Sequence, residues 1–316
     1  LIVRISVVIP THNEEDNISM TIEELLSITK LVTVIDEIQI IVIDDHSSDN
    51  TYNVVSSMDD SRVLCLRLSR KSGSHTALRA GLMEASGDAT LCMSADGQDN
   101  PDCIKDMLLK WDGGCKVVWA LRKNRDNESF ASRLFAQIFY KTLSWVTRNT
   151  WAGIDLSRAD FYILDKSVVK AINACKERNT SVFGLITWLG FEQGYVEYKR
   201  RKRMSGLSKW SFRRRLRLAK DWIIAFSGLP LKLMTIVGFL VALVGFLYAL
   251  FTIVNAVFIG EPVQGWSSTM VVILILGGLQ MIMFGIAGEY LWRNLDESRK
   301  RPLYFIEKST DDDNRK

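Results

Sequence analysis

Two segments near the C-terminal end constrain this chain most. "LMTIVGFLVALVGFLYALFTIVNAVFI", Leu233 to Ile259, contains no charged residue, and "TMVVILILGGLQMIMFGIAG", Thr269 to Gly288, has Gln280 as its most polar member. Each reaches the roughly 20 residues with which a helix crosses about 30 Å of hydrocarbon. The other reading, a buried core hairpin, asks a domain of this size to bury two such runs in succession. The composition agrees with a division of the chain: 47% of residues are hydrophobic, slightly high for a soluble protein. Most of the charge lies before about Asp221 and the long apolar runs lie after it.

Charge placement orients the hairpin. "RRRLRLAK" (Arg213 to Lys220) precedes the first run and "RNLDESRKR" (Arg293 to Arg301) follows the second, whereas the connecting "GEPVQGWSS" has no Lys or Arg. The positive-inside rule therefore predicts both ends in the cytoplasm and the loop outside, with Trp266 and Trp292 near the two interfaces. "SKWSFRRRLRLAKDWIIAFSG" (Ser208 to Gly228) interleaves Trp210, Phe212, Leu216, Leu218, Trp222 and Ile223 with basic residues, which predicts an interfacial amphipathic helix. The opening "LIVRISVVIP" is too short for a signal peptide and reads as a strand. The expected division is a cytosolic domain over 1–206, a juxtamembrane helix over 207–229, two spans over 230–292 and a cytosolic tail over 293–316. The formal net charge is only +4. Its clustering beside the spans favours anionic head groups or phosphates rather than nucleic acid. The five cysteines show no CxxC spacing, and an odd count in a cytosolic domain predicts reduced thiols, mostly in the core. His12, His46 and His75 lack zinc-ligand spacing.

The first two-thirds alternate strand-like and helix-like segments. "RISVVIP", "EIQIIVIDD", "RVLCLRL", "ATLCMS" and "KVVWAL" are short apolar runs. Between them Asn17 to Lys30, Thr51 to Met58, Thr76 to Ala85 and Pro101 to Trp111 read as helices. This pattern predicts an α/β fold with a mainly parallel sheet covered on both faces. In such sheets ligands bind beyond the carboxyl ends of the strands. There the sequence puts "THNEEDN", "DDHSSDNT", "ADGQDNP" and "RKNRD". No GxGxxG follows the first strand and no GxxxxGK[ST] is present, which argues against a dinucleotide or P-loop site. Acidic groups dominate the first three loops, so an anionic diphosphate ligand needs a cation between it and the protein. Mg²⁺ or Mn²⁺ suits oxygen ligands of this kind.

"SVVIPTHNEEDNI", "IIVIDDHSSDNT", "AGLMEASGD", "SADGQDNP", "ADFYILDKSVV", "SGLSKW" and "GEYLWR" together resemble the family 2 glycosyltransferases of GT-A fold. The closer resemblance is to the polyprenyl-phosphate glycosyltransferases of the dolichyl-phosphate mannose synthase type, above all bacterial undecaprenyl-phosphate glucosyltransferases with a C-terminal two-span hairpin. It covers essentially the whole chain in order. It implies a Rossmann-like GT-A domain in which a nucleotide-diphosphate sugar, a UDP-sugar such as UDP-glucose, gives its glycosyl group to undecaprenyl phosphate with inversion, supported by Mg²⁺ or Mn²⁺. Relatives imply a homotetramer, and the Gly-rich "GGLQMIMFGIAGEY" permits close helix packing. A processive polysaccharide synthase of the same family would show a Gln/Arg-x-x-Arg-Trp motif and more spans. A non-catalytic membrane module on the same fold is the other alternative, motivated by Ser94, Ser74 and Tyr162.

The resemblance assigns roles to individual residues. Pro10, His12, Glu14, Asp44, Asp45 and Ala95 match nucleotide-binding positions. The two aspartates could instead serve a strand-end turn and helix cap. Asp96 and Gln98 match positions that contact the cation and diphosphate. Ser94 stands where the family pattern has a first Asp, and Asp99 could be an N-cap before Pro101. "RKSGSHTALRAG" departs from Asn-x-Gly-Lys-Glu at Lys71, Ser74 and His75, the last being a sugar contact or a helix-start residue. On the acceptor side Asp160 keeps the family's acid, while Ala159 and Tyr162 replace Gly and Arg. Arg122, Arg133, Arg200, Arg203, Ser208 and Lys209 match or flank its phosphate-binding positions, arginine's fork being suited to phosphate oxygens. Some of Lys199, Arg201 and Lys202 would form a solvated or lipid-facing charge run.

Overall fold

The computed structural model describes residues 2–32, 34–123, 158–178, 180–201, 228–258 and 265–313. The chain forms two compact units, Leu1–Arg215 with Pro302–Lys316, and Leu216–Arg301.

In the first unit the five apolar runs form β1 (Val3–Thr11), β2 (Ile35–Asp44), β3 (Val63–Leu68), β4 (Ala89–Cys92) and β5 (Val117–Arg122). They alternate with α1 (Ile18–Leu31), α2 (Thr51–Ser56), α3 (Ser74–Glu84) and a 3-10 turn (Pro101–Cys103) that leads into α4 (Ile104–Asp112). Then come β6 (Ala159–Asp165), α5 (Lys166–Ala174), α6 (Val182–Trp188), β7 (Gln193–Tyr198) and, from the far end of the chain, β8 (Ile306–Ser309). The sheet order is β7-β5-β6-β4-β1-β2-β3-β8. β1 pairs in parallel with β2 and β4, β2 with β3, and β5 with β7. β6 runs antiparallel to both β4 and β5, and β8 antiparallel to β3. The sheet is thus mixed, with the mainly parallel centre expected.

The central strands are continuous apolar runs because both faces are covered. On one face Val7, Ile9, Val42 and Leu91 pack with Ile22 and Leu25 of α1 and Met107 and Leu108 of α4. On the other, α3 lies against β1 and β2 and meets α5 and α6. Its Gly81 approaches so near that an added Cβ would lie 2.3 Å from a Val8 methyl. Each such aliphatic side chain, fully buried, contributes roughly 1.5–3 kcal/mol.

Two strands lack the apolar run that marks the others. β7 buries only Tyr198 fully, and β8 is short and polar. β8 is nonetheless well tied. Leu66, Arg67 and Leu68 pair with Ser309, Lys308 and Ile306. Ser69 N–H donates to Phe305 O at 2.9 Å, and Cys65 N–H donates to Thr310 Oγ1 at 3.0 Å. The segment expected as a tail therefore closes the β3 edge, which would otherwise expose unpaired backbone groups.

The second unit holds α7 (Leu229–Phe258, 30 residues) and α8 (Trp266–Ser298, 33 residues). Both contain segments long and apolar enough to cross a membrane. Their large side chains are bare, Phe239 and Phe284 each being 68% exposed, a surface that lipid would cover. Gly238 of α7 lies close to Met283 of α8. The amphipathic helix expected over 207–229 falls, through 227, outside the described residues, as do Arg133, Arg203, Ser208 and Lys209.

The turn before β4 sets how closely that strand follows β1. Gly87 N–H donates to Ser6 Oγ at 2.9 Å. A Cβ at Gly87 would meet the Ser6 nitrogen at 2.6 Å and the Arg4 carbonyl oxygen at 2.8 Å. Both are backbone atoms and cannot rotate away. Gly87→Ala should therefore lower stability by about 1–3 kcal/mol, read as an earlier unfolding midpoint in denaturant.

Candidate active site

Parallel register brings the carboxyl ends of the strands together. Thr11 at the end of β1 pairs with Asp44 at the end of β2, and the two following loops are knitted by polar bonds. Asn13 N–H donates to Ser47 Oγ at 3.0 Å, Ser48 N–H to Asn13 Oδ1 at 2.8 Å, and Glu14 N–H to Thr51 Oγ1 at 3.0 Å. Asn13 and His46 adopt left-handed backbone, with φ of 56° and 54°, a conformation that Asn and His tolerate better than most residues. The Glu14 carboxylate accepts from Asn17 Nδ2 at 2.8 Å beside the start of α1. Pro10 lies within β1, opposite Ile43.

The paired aspartates have separate tasks. Asp44 is 0% exposed. Its Oδ1 accepts from Ser47 N–H at 3.0 Å and its Oδ2 from Arg67 Nη1 at 2.7 Å, while Arg67 Nη2 donates to Ser47 O at 3.0 Å. Asp44 and Arg67 thus brace the turn from beneath. Asp45 reaches sideways to the loop after β3, accepting from Ser72 N–H at 2.6 Å and Gly73 N–H at 2.8 Å. Gly73 has φ of 94°, which favours glycine. Neither aspartate caps α2, whose N-cap is Asn50. His12 joins the group. Its Nδ1 lies 3.1 Å from Asp45 O, which can only accept, so Nδ1 carries the proton and Nε2 faces the Lys71 ammonium. His12, Asp45 and Lys71 to Gly73 therefore form one constellation. His75 sits in the first turn of α3 with its ring 6.3 Å from Phe183, which packs on Trp119 and Tyr162. Burial pushes the His75 pKa down to about 4, so it is neutral at pH 7.

The loop after β4 holds two carboxylates around one hydroxyl. Ser94 Oγ lies 2.8 Å from Asp96 Oδ1 and 2.7 Å from Asp99 Oδ2, and Ser94 N–H donates to Asp99 Oδ2 at 2.8 Å. A hydroxyl has one proton, so it serves one carboxylate at a time. Asp96 is 7% and Asp99 1% exposed. Gln98 N–H donates to Asp96 Oδ1 at 3.2 Å, and Ala95 O accepts from Thr21 Oγ1 of α1 at 3.2 Å. Asp99 is not the N-cap that the sequence left open as an alternative. The Asn100 side chain accepts from Asp102 N–H instead, and Asp99 turns back to Ser94. Among the described residues no three His, Cys, Asp or Glu side chains cluster around a cation site. Two sheltered carboxylates with a hydroxyl between them nevertheless concentrate hard oxygen ligands and negative charge, a set that suits Mg²⁺ or Mn²⁺.

Basic residues gather beyond β5, β6 and β7. Arg122 ends β5 and pairs with Tyr198 at the end of β7. Asp160 lies in β6 between Ala159, paired with Leu121, and Phe161, paired with Ala120. Arg200 follows β7. Two arginines not assigned a role by the resemblance hold this corner. Arg158 Nε donates to Arg122 O and its Nη2 to Glu197 Oε1, each at 2.6 Å. Arg201 N–H donates to Gln98 O at 3.1 Å, and its guanidinium binds Glu24 and, at 3.4 Å, Asp102. Arg201 is therefore a tie to the Ser94 loop rather than part of a solvated run. Tyr162 is buried against Trp119 with ring centroids 5.0 Å apart, so the residue at the family's Arg position is core. Cys65, Cys92 and Cys103 are buried free thiols, and burial pushes Cys92 and Cys103 up to about 12. They are neither nucleophiles nor thiolate ligands at neutral pH.

The Asp44–Arg67 pair gives a direct test of the bracing. Arg67→Met would leave a carboxylate buried without its cation, a loss on the order of 3 kcal/mol. Chemical denaturation should show that loss, and Asp44→Asn with Arg67→Met should recover part of it.

Comparison with known proteins supplies the family. Residues 6–158 match the model of glycosyl transferase family 2, and residues 229–293 match the GtrB C-terminal hairpin. An uncharacterized glycosyltransferase of Synechocystis is 36% identical over 306 residues, 96% of this chain and 95% of that protein. The SfII prophage-derived bactoprenol glucosyl transferase of Shigella flexneri is 35% identical over 308 residues, covering 97% and 98%. Among solved structures, mannosyl-3-phosphoglycerate synthase from Rubrobacter xylanophilus superposes with a TM-score of 0.51 at 19% identity, over 71% of this chain and 73% of that one; at that identity the likeness concerns the fold. With near full-length relatives above 30% identity and both family models matched in order, the chain belongs to the family 2 glycosyltransferases that carry a GtrB-type hairpin.

Proposed function

We propose that the chain transfers a glycosyl group from a UDP-sugar, with UDP-glucose the first candidate, to undecaprenyl phosphate at the cytoplasmic face of the plasma membrane. The observation that carries this reading is one chain holding both a polar sheet edge and an apolar hairpin, aligned nearly end to end with proteins named bactoprenol glucosyl transferases. A soluble acceptor needs no tether, whereas a polyprenyl phosphate stays in the bilayer. The catalytic domain is residues 1–206, rejoined by β8. Residues on both sides of the hairpin belong to that same unit, which supports two crossings and two cytoplasmic ends. By family resemblance the assembly is a homotetramer.

His12, Asp45 and the Lys71–Gly73 loop hold the base and ribose, with Pro10, Glu14 and Ala95 shaping the pocket and Asp44 bracing it. Asp96 and Gln98, helped by Asp99 and the Ser94 hydroxyl, would hold Mg²⁺ or Mn²⁺, which supplies positive charge against the diphosphate. An oxygen of the acceptor phosphate attacks the anomeric carbon as its bond to the diphosphate oxygen breaks, inverting that centre and releasing UDP. A phosphate monoester has its second pKa near ~6, so the nucleophile is already largely dianionic at pH 7. The harder task is to bring two anions together, and that is electrostatic work for cations. Arg122 and Arg200 supply it from the ends of β5 and β7, and family resemblance gives Arg133, Arg203, Ser208 and Lys209 the same task. Asp160 orients the acceptor.

Purified full-length chain in liposomes with undecaprenyl phosphate and Mn²⁺ should move label from a UDP-sugar in a panel of UDP- and GDP-sugars, and should lose this activity on chelation. Transfer from none of them overturns the proposal. Failure to bind UDP in a Mn²⁺-dependent manner by calorimetry would point instead to a non-catalytic module. Asp96→Ala and Asp160→Ala should each lower kcat by about 100-fold or more. Ser94→Asp should keep activity and bind Mn²⁺ more tightly; a complete loss would refute the assignment of this loop.

A further inference from the structure

β8 ends on the same groups that brace the nucleotide loops. Glu307 Oε2 accepts from Arg67 Nε at 3.2 Å and lies 3.6 Å from His46 Nδ1. The same Arg67 guanidinium holds Asp44 at 2.7 Å and Ser47 O at 3.0 Å, fixing the loop after β2. The β8 backbone meanwhile pairs with Leu66 to Leu68, and Phe305 O accepts from Ser69 N–H. Those residues lead directly into Arg70 to Gly73, the loop that Asp45 grips through two backbone N–H groups. Both walls of the His12–Asp45–Lys71 constellation therefore rest on residues 305–309. Arg67 has three acceptors in three directions, and removing one leaves the guanidinium free to tilt away from Ser47 O.

We propose that Glu307 is a positioning residue for the donor nucleotide, acting through Arg67 on the loop after β2, and that the strand returning from α8 completes the donor site. The inference rests on the reading of that constellation as the nucleotide pocket. It gives residues 299–309 a role beyond a cytosolic tail, because the chain that leaves the hairpin also seats the site.

The test is steady-state kinetics on full-length protein in liposomes, varying UDP-sugar and undecaprenyl phosphate separately. Glu307→Ala should raise donor KM by about three- to five-fold, the size that a half-exposed ion pair supplies. kcat and acceptor KM should stay within about two-fold. Glu307→Gln keeps an acceptor for Arg67 Nε and should show a smaller rise, whereas Glu307→Lys opposes the Arg67 guanidinium and should show a larger one. Lys308→Ala, on the same strand but directed over Tyr52, should leave donor KM unchanged. An unchanged donor KM in Glu307→Ala and Glu307→Lys overturns the proposal. So does an equal change in both KM values that follows a fall in melting temperature. A wild-type chain that neither binds UDP nor uses any UDP-sugar would overturn the underlying function instead.

Discussion

Strands buried on both faces can carry polar side chains only at their ends, and that constraint organises this molecule. β1, β2 and β4 are held between two helical layers, and their interiors are almost wholly apolar. The carboxylates and histidines appear where each strand emerges. Parallel register then brings Thr11 beside Asp44, and the loops between strands and helices become the walls of one site. Asp44 is the exception that shows the cost. It lies inside the packed layer, so it requires Arg67 on one oxygen and Ser47 N–H on the other. That pair fixes the first turn of the site, and the exposed groups above it inherit its geometry.

The parts of this fold that could be read from sequence are those with a strong physical signature. β1 to β5 announce themselves as apolar runs, and α7 and α8 by their length without charge. β6 was legible only as a motif, because its chemistry-bearing Asp160 drew the reading toward the acceptor. β7 and β8 gave almost no signal, since an edge strand is wet on one side and "IEKS" has no apolar alternation. Within the candidate site, residue identity marks candidate groups but not which of them are held by neighbouring side chains and backbone. "DD" does not disclose that one aspartate faces an arginine 23 residues away and the other two backbone amides. Arg201 reads as surface charge in sequence and Arg158 carries no signal there, because their partners Glu197, Glu24 and Asp102 are distant in sequence or on another element.

Ser94 shows how one altered residue can be accommodated. Three acidic side chains in this loop would repel one another strongly wherever no cation separated them. With serine in the first place, one hydroxyl proton lies between Asp96 and Asp99, so the loop can hold its shape before any cation arrives. If the loop holds a metal as proposed, the trade is a weaker charge toward it for less repulsion without it. Lys71 follows the same electrostatic logic: it brings a cation against His12 in the loop that departs from the family pattern, on the side of the candidate site where acidic groups otherwise dominate.

The hairpin and the sheet edge answer a single electrostatic problem. A lipid phosphate and a sugar diphosphate are both anions, and in bulk water neither has reason to approach the other. A bilayer tether confines the acceptor to one plane and turns a three-dimensional encounter into a local one. In the proposed reaction a cation at the Ser94 loop and arginines at the β5 and β7 ends would reduce the repulsion over the last few ångströms, where screening by salt is least effective. The strand β8 belongs to the same solution. β8 follows α8 along the chain and pairs with β3, so the proposed spanning helix is linked in sequence to the strand that braces the loops after β2 and β3.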